Sequence, residues 1–240
     1  MVETIAERRN MSKRLIYFLM TFMIIAPGVG EAGFLNRFGL SLNPGTVLAL
    51  HGNYSDSKKL KDMVIPGAGL GLILRYKINE NFFIDAGYSY NWLFIKQDER
   101  PSAYEADKPA FVLPMYTLNG TFFFVSGHSL EPYVTLGGGL YPWRFSSEAI
   151  RGEVWSAPEN TEKEFSKSSL GLNGGVGIEL KIWSKLAVFA EATYLYLFAK
   201  DEEKFGAGDF GNQGLLGIRL GMTVYFGRKE SLSVDEGQKQ

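Results

Sequence analysis

From residue 38 onward the chain repeats a single pattern: apolar side chains stand at every second position, with Gly, Ser, Thr, Asn or an isolated charge between them. Successive side chains of a strand point to opposite faces, so a period of two describes a two-faced β-strand and excludes an amphipathic helix. In residues 185–198 the apolar positions are Leu186, Val188, Ala190, Ala192, Tyr194, Tyr196 and Phe198, with Glu191 and Thr193 between them. In residues 70–78 they are Leu70, Leu72, Leu74, Tyr76 and Ile78, and the opposite face carries Gly71, Arg75 and Lys77 with a single Ile73. Residues 82–94 set Ile84, Ala86, Tyr88, Tyr90 and Trp92 against Asp85, Gly87, Ser89 and Asn91. Five further strands are expected at 38–53, 116–125, 132–143, 170–182 and 214–226, for eight in all. The connections alternate in length. Tight links at 79–81, 126–131 and 183–185 exchange with long polar ones at 55–66, 96–109, 144–169 and 200–213, which hold most of the charge.

Which face meets solvent decides the fold. A soluble up-and-down barrel of the lipocalin kind points its apolar face inward and covers the other with Lys, Glu and Asp. Here the second face is Gly, Ser, Thr and Asn with about one charge per strand. Such a face is too sparse in charge for a water-facing surface and too polar for a hydrophobic core, yet it suits the lumen of an eight-stranded barrel, which side chains just fill. Strands of about ten residues, short turns at one end and long loops at the other, are the signature of outer-membrane barrels. The expected fold is therefore all-β: a closed antiparallel up-and-down transmembrane β-barrel of eight strands. Aromatics fall in two groups, Phe82, Phe122, Phe124, Trp183 and Phe226 toward the short turns and Tyr90, Trp92, Phe94, Trp143, Tyr196 and Phe198 toward the long loops, as interfacial girdles require.

Composition agrees. Hydrophobic residues reach 45%, yet the mean hydropathy is only -0.06, because apolar and polar positions interleave; a helical membrane span needs about 20 apolar residues in succession. The formal net charge of -1 gives no bulk attraction for nucleic acid. With no cysteine, disulfides, thiolate zinc sites and a cysteine nucleophile are excluded together. The one long apolar run, residues 15–27, follows Lys13 and Arg14 and precedes Gly30-Glu31-Ala32. It is too short to cross a bilayer and has the flanks of a secretory signal peptide, assigned to residues 1–32, with Met11 an alternative start. The barrel is assigned to 33–226 and residues 227–240 to a disordered polar periplasmic tail.

Charges inside a barrel need partners, because an unpaired buried charge is costly. A hairpin centred on Glu80 sets Arg75 opposite Asp85, both inward. Glu191 and Arg219 stand at matching heights on neighbouring strands, with Glu179 and Lys181 close by. The expectation is a structural lumen network of Arg75, Lys77, Asp85, Glu179, Lys181, Glu191 and Arg219, with glycines such as Gly137, Gly139, Gly175, Gly177, Gly217 and Gly221 making room; a proton or ion path is the rival account.

These residues resemble the OmpA/OmpX-like outer-membrane barrel families, including the opacity-type and OmpW-like sets, over essentially all of residues 34–226. The last strand, GLLGIRLGMTVYF, carries the most specific likeness, with SLEPYVTLGGGLY, GLNGGVGIELKI and LAVFAEATYLY beside it. The resemblance implies the bacterial outer membrane, with lipid and lipopolysaccharide around the wall, and recognition of Phe226 by the barrel assembly machinery. It identifies architecture well and role poorly. The chain departs from the family pattern in the residues after Phe226 and in the length of the 144–169 loop.

No motif asks for a cofactor or metal. The glycine runs at 67–71 and 137–139 lack the strand-to-helix turn that phosphate binding needs. His128, Ser129 and Glu131 are neighbours in sequence only, which does not make a triad. The leading reading is a non-enzymatic structural and surface-interaction protein whose four loops meet lipopolysaccharide or a host or environmental ligand, with Trp155 and Phe165 as loop contact residues unless they pack back onto the rim. Two alternatives stay open: a narrow channel or small hydrophobic-ligand conduit, and a lipid A-modifying enzyme using His51, expected to point inward near the outer rim with Asp56 beyond it.

Overall fold

The computed structural model describes residues 37–55, 57–100, 108–150, 152–156, 163–205 and 210–226. The expected leader, the expected tail and Asp56 lie outside the described residues. Eight long strands are present: β1 (Phe38–His51), β2 (Gly67–Lys77), β3 (Phe82–Phe94), β4 (Ala110–Phe123), β5 (Leu130–Ser146), β6 (Ser166–Trp183), β7 (Leu186–Leu197) and β8 (Gln213–Tyr225). Each pairs antiparallel with its sequence neighbour, and β1 closes the ring on β8.

The alternation is inside out relative to a soluble protein. On the outer wall Leu72 is 49% exposed, Ile218 45% and Val188 37%, whereas inward Arg75 is 2% and Glu191 9% exposed. Only an apolar surrounding makes such an arrangement favourable, so the greasy wall is the lipid face. Phe122, Phe124, Trp183 and Phe226 stand exposed at the short-turn end, and Phe198 at the other. Trp143 departs from its expected place in that second girdle. It lies inward and buried, on the same side of β5 as Tyr133 and Tyr141.

The short turns are built locally. Asn79 accepts hydrogen bonds from the N–H groups of Asn81 (2.9 Å) and Phe82 (2.8 Å), so its side chain shapes the β2–β3 turn. Gly127, at φ +83°, supplies the left-handed residue of the β4–β5 turn.

Strand limits differ from expectation mainly at the long-loop ends. β4 begins six residues earlier than the expected 116, at Ala110, because Phe111, Val112 and Leu113 are buried on both faces and show no alternation. β5 and β6 likewise run past the bilayer pattern to Ser146 and from Ser166. β1 ends at His51, not 53, where a bulge between Ala49 and His51 precedes Gly52 at φ +121°. The first long loop carries a two-stranded ribbon, Asn53–Ser55 with Lys58–Lys59, and a single helical turn, Leu60–Met63.

Candidate functional site

The lumen has three storeys. Lowest, toward the short turns, β2 and β3 share the register Arg75↔Asp85, and the guanidinium forks onto Asp85 through Nε–Oδ1 at 2.9 Å and Nη2–Oδ2 at 3.0 Å. Its Nη1 donates across the bore to Glu179 Oε2 at 2.8 Å. Tyr225, on the closing strand, donates to Glu179 Oε1 at 2.7 Å, and Thr121 donates to Asp85 Oδ2 at 2.8 Å. The rings of Phe83, Phe123 and Tyr133 surround the cation with centroids 5.5–5.9 Å from it. A planar, delocalised, weakly hydrated cation suits such a desolvated aromatic cage, where an ammonium would lose its hydration. Lys181 pairs with Glu131 beside this cluster.

One step higher, Glu191 accepts from Tyr133 (3.1 Å) and Thr193 (2.6 Å), and Arg219, its cross-strand partner in register, approaches it only to 3.8 Å. Above them Asn43, Ser89, Asn91, Thr117, Asn173 and Arg219 border a cavity of about 20 Å³, room for one or two waters. The side-chain amide of Asn43 is buried there with no hydrogen-bond partner among the described residues.

At the long-loop end the bore is closed by an apolar stopper. Phe111, Trp143 and Phe145 project inward from β4 and β5, and Trp155, Phe165, Phe205 and Phe210 descend from the third and fourth loops onto them. Trp143 and Phe210 have ring centroids 4.3 Å apart, and Phe145 stacks on Phe165 at 4.6 Å. The third loop continues as backbone pairing: Trp155 N–H donates to Phe145 C=O (3.0 Å) and Phe165 N–H to Trp155 C=O (2.6 Å). Leu60 and Met63 of the helical turn in the first loop complete the seal.

At the rim Lys204 donates to the Ser166 carbonyl, and burial lowers its ammonium below the usual lysine range. Asp201 pairs with Lys167 at 3.2 Å and accepts the Lys204 backbone N–H at 3.1 Å. Burial pushes the Asp201 carboxyl up, but these bonds outweigh it and hold the group below the ordinary carboxylate range.

Several assignments need correction. Lys77 does not join the lumen network: it stands on the last row of β2, where the bore opens, and reaches out to Glu80 at 2.7 Å. Trp155 and Phe165 are not surface contacts. They are 3% and 0% exposed, because Phe111, Trp143 and Phe145 line the upper bore with apolar surface that only folded-back loop side chains can cover. His51 does not point inward. The bulge after Ala49 turns it to the outer wall, where Nε2 lies 2.5 Å from the Tyr194 hydroxyl and the ring leans on Tyr194 and Tyr196. His128 is exposed in its turn, 3.2 Å from the Ser126 carbonyl. Sequence reasoning missed Tyr133, Tyr225, Thr121 and Glu131 as polar members of the lumen and Phe205 and Phe210 as parts of the stopper. Parity could have found Tyr133 and Tyr225, which share the inward face with Thr135 and Arg219.

The family model of the outer membrane protein β-barrel domain matches residues 18–225. Among solved structures, Neisserial surface protein A matches at 15% identity over 79% of this chain and 97% of its own, with a TM-score of 0.53. The outer membrane protein OprG of Pseudomonas aeruginosa matches at 13% identity over 79% of this chain and 95% of its own, TM-score 0.45. Ail, the attachment invasion locus protein of Yersinia pestis, matches at 15% over 78% and 98%, TM-score 0.43. At such identities the likeness is one of fold. No curated protein matches the chain.

Proposed function

The chain belongs to the outer membrane protein β-barrel family and resides in the bacterial outer membrane, and from that premise we propose that it is a non-conducting anchor that holds its long loops at the cell surface as an interaction platform. One observation carries this reading: the bore is filled at both levels where a pore must be open, by the Arg75–Asp85–Glu179 cluster below and by the aromatic stopper above. The intervening cavity has room for one or two waters and no more. Filled lumens are the ordinary state of eight-stranded barrels. The platform is the polar part of the loops, since Trp155, Phe165, Phe205 and Phe210 are spent on the stopper, and its partners are lipopolysaccharide and host or environmental surface ligands. Residues 1–32 serve export, and Phe226 presents the final strand to the barrel assembly machinery.

Planar-bilayer recording of the purified barrel tests this. A silent bilayer, from protein whose heat-modifiable gel mobility shows it folded, is the expected result. Stepwise conductance that disappears on changing Arg75 or Glu191 would instead establish the channel alternative.

A further inference from the structure

The β4–β5 seam has a defect on its lipid face. The ladder runs unbroken from Phe123↔Tyr133 to Tyr116↔Leu140, lapses, and resumes at Val112↔Arg144. In the middle of the lapse Pro114 of β4 stands opposite Pro142 of β5. Hydrogen-bonding rows recur at every second residue of an antiparallel ladder. Phe124 N–H donates to Pro132 C=O at 3.0 Å across this same seam, so the even-numbered rows are the bonding ones and the Pro114–Pro142 row is one of them. Leu113 faces the other way, its carbonyl accepting the Asn91 side-chain amide at 3.2 Å. Neither proline has an N–H to give. The carbonyls of Pro114 and Pro142 therefore point into the seam, each toward the other proline's nitrogen, without the donors that the row would supply.

A cation lies beside this acceptor pair. Arg144, two residues beyond Pro142 on the same outer face, extends over β4 to donate to the Tyr90 hydroxyl at 3.2 Å, and Tyr90 is the register partner of Pro114 on β3. No carboxylate pairs with Arg144 among the described residues. Below lie Tyr88 and Tyr116, with ring centroids 5.1 Å apart on the outer wall. Aromatic rings at the long-loop end mark the outer interface. The patch thus combines two carbonyls whose row lacks its donors, a cation with no carboxylate partner among the described residues, and an apolar platform beneath.

We propose that this seam docks a lipid A-type glycolipid of the outer leaflet, whose amide N–H or acyl hydroxyl donates to the Pro114 and Pro142 carbonyls while a phosphate takes Arg144. Ordinary glycerophospholipids match only half of this pattern, since they have a phosphate but only ester acceptors at acyl depth. The inference deepens the anchor reading by naming a lipid and its place on the wall. It does not depend on the sealed lumen, so bilayer conductance would overturn the anchor and leave the seam standing.

The test titrates the purified barrel in detergent micelles with bis-phosphorylated lipid A, with dephosphorylated lipid A and with phosphatidylethanolamine, and reads the lipid retained by native mass spectrometry. Bis-phosphorylated lipid A is expected to be retained over both others. R144Q is expected to lower its retention about tenfold, the scale of one charge-assisted hydrogen bond. P114V with P142V returns both donors to the row, so retention is expected to fall by a similar factor while the amides at 114 and 142 become protected from exchange. R144Q lies on the outer surface and leaves the lumen intact, which keeps the test available should the valine pair not fold. Lipid A held no better than phosphatidylethanolamine, or held at the wild-type level by both variants, would overturn the proposal.

Discussion

Replacing Arg75 with methionine asks how much the lower lumen depends on a single cation. The guanidinium makes two bonds to Asp85 and one to Glu179, at 2.8–3.0 Å, and all three side chains are buried. Removing it strands two carboxylates in the bore. Thr121 and Tyr225 still donate to them, but hydroxyls do not neutralise charge. Breaking a buried pair from one side costs about 3–5 kcal/mol. With a urea slope of about 2 kcal/mol/M, the unfolding midpoint should fall by roughly 2 M. The assay is urea unfolding of the barrel in lipid vesicles, followed by tryptophan emission and by loss of heat-modifiable mobility. The mechanism makes a second, sharper demand. Combining Arg75→Met with Asp85→Leu and Glu179→Met removes the stranded charges, and replacing a whole buried ionic cluster by apolar groups is close to neutral or better. The triple variant should therefore recover most of the loss. A single variant that unfolds within about 0.5 M of wild type, or a triple variant no more stable than the single, would refute the account of the cluster as a mutually dependent charge network.

Trp143→Ala should cost about 3–5 kcal/mol, since a large ring at the centre of the stopper leaves a cavity; calorimetry of the folded barrel checks this, and the bilayer should stay silent because the Arg75–Asp85–Glu179 cluster still fills the bore below. A Cβ on Gly177 would come 2.3 Å from Tyr133 Cζ, so Gly177→Val should displace Tyr133 from Glu191 and destabilise by about 1–3 kcal/mol, read by urea midpoint, with Tyr133→Ala in the same chain relieving the clash. The Asp201 carboxyl titrates lower in the folded chain than in the unfolded one, so its clip on Lys167 and Lys204 contributes above the unfolded value near pH 4 and is lost as pH falls through the folded value. Pepsin should accordingly cut near residues 201–205 more readily as pH drops through that window, and Asp201→Asn should be cut readily throughout.

The parts legible in the sequence are those governed by a local period. The expected strand 82–94 coincides with β3 because its two faces differ at every step and an Asn-Glu-Asn turn precedes it. Turn centre and parity together also imply the Arg75↔Asp85 register. Where both faces are apolar the period falls silent, as in Ala110 to Met115, and the strand start is lost. A bulge shifts parity by one without any compositional mark, which is why His51 turns outward. The stopper was illegible for a different reason. Trp155, Phe165, Phe205 and Phe210 lie in polar loops, and only the closed ring brings them over Trp143 and Phe145. Arg75 reaches Glu179 across 104 residues of chain, a contact set by barrel curvature and not by either strand alone.

Surface loops usually diverge freely because the scaffold beneath does not depend on them. Here that independence fails at four aromatic positions, for Trp155, Phe165, Phe205 and Phe210 are as much a part of the interior as any strand residue. Wholesale transplantation of the third or fourth loop from a relative would uncork the vessel. Peptide grafts meant for display should instead spare those four hooks, and natural variants should drift between the hooks while keeping a ring at each.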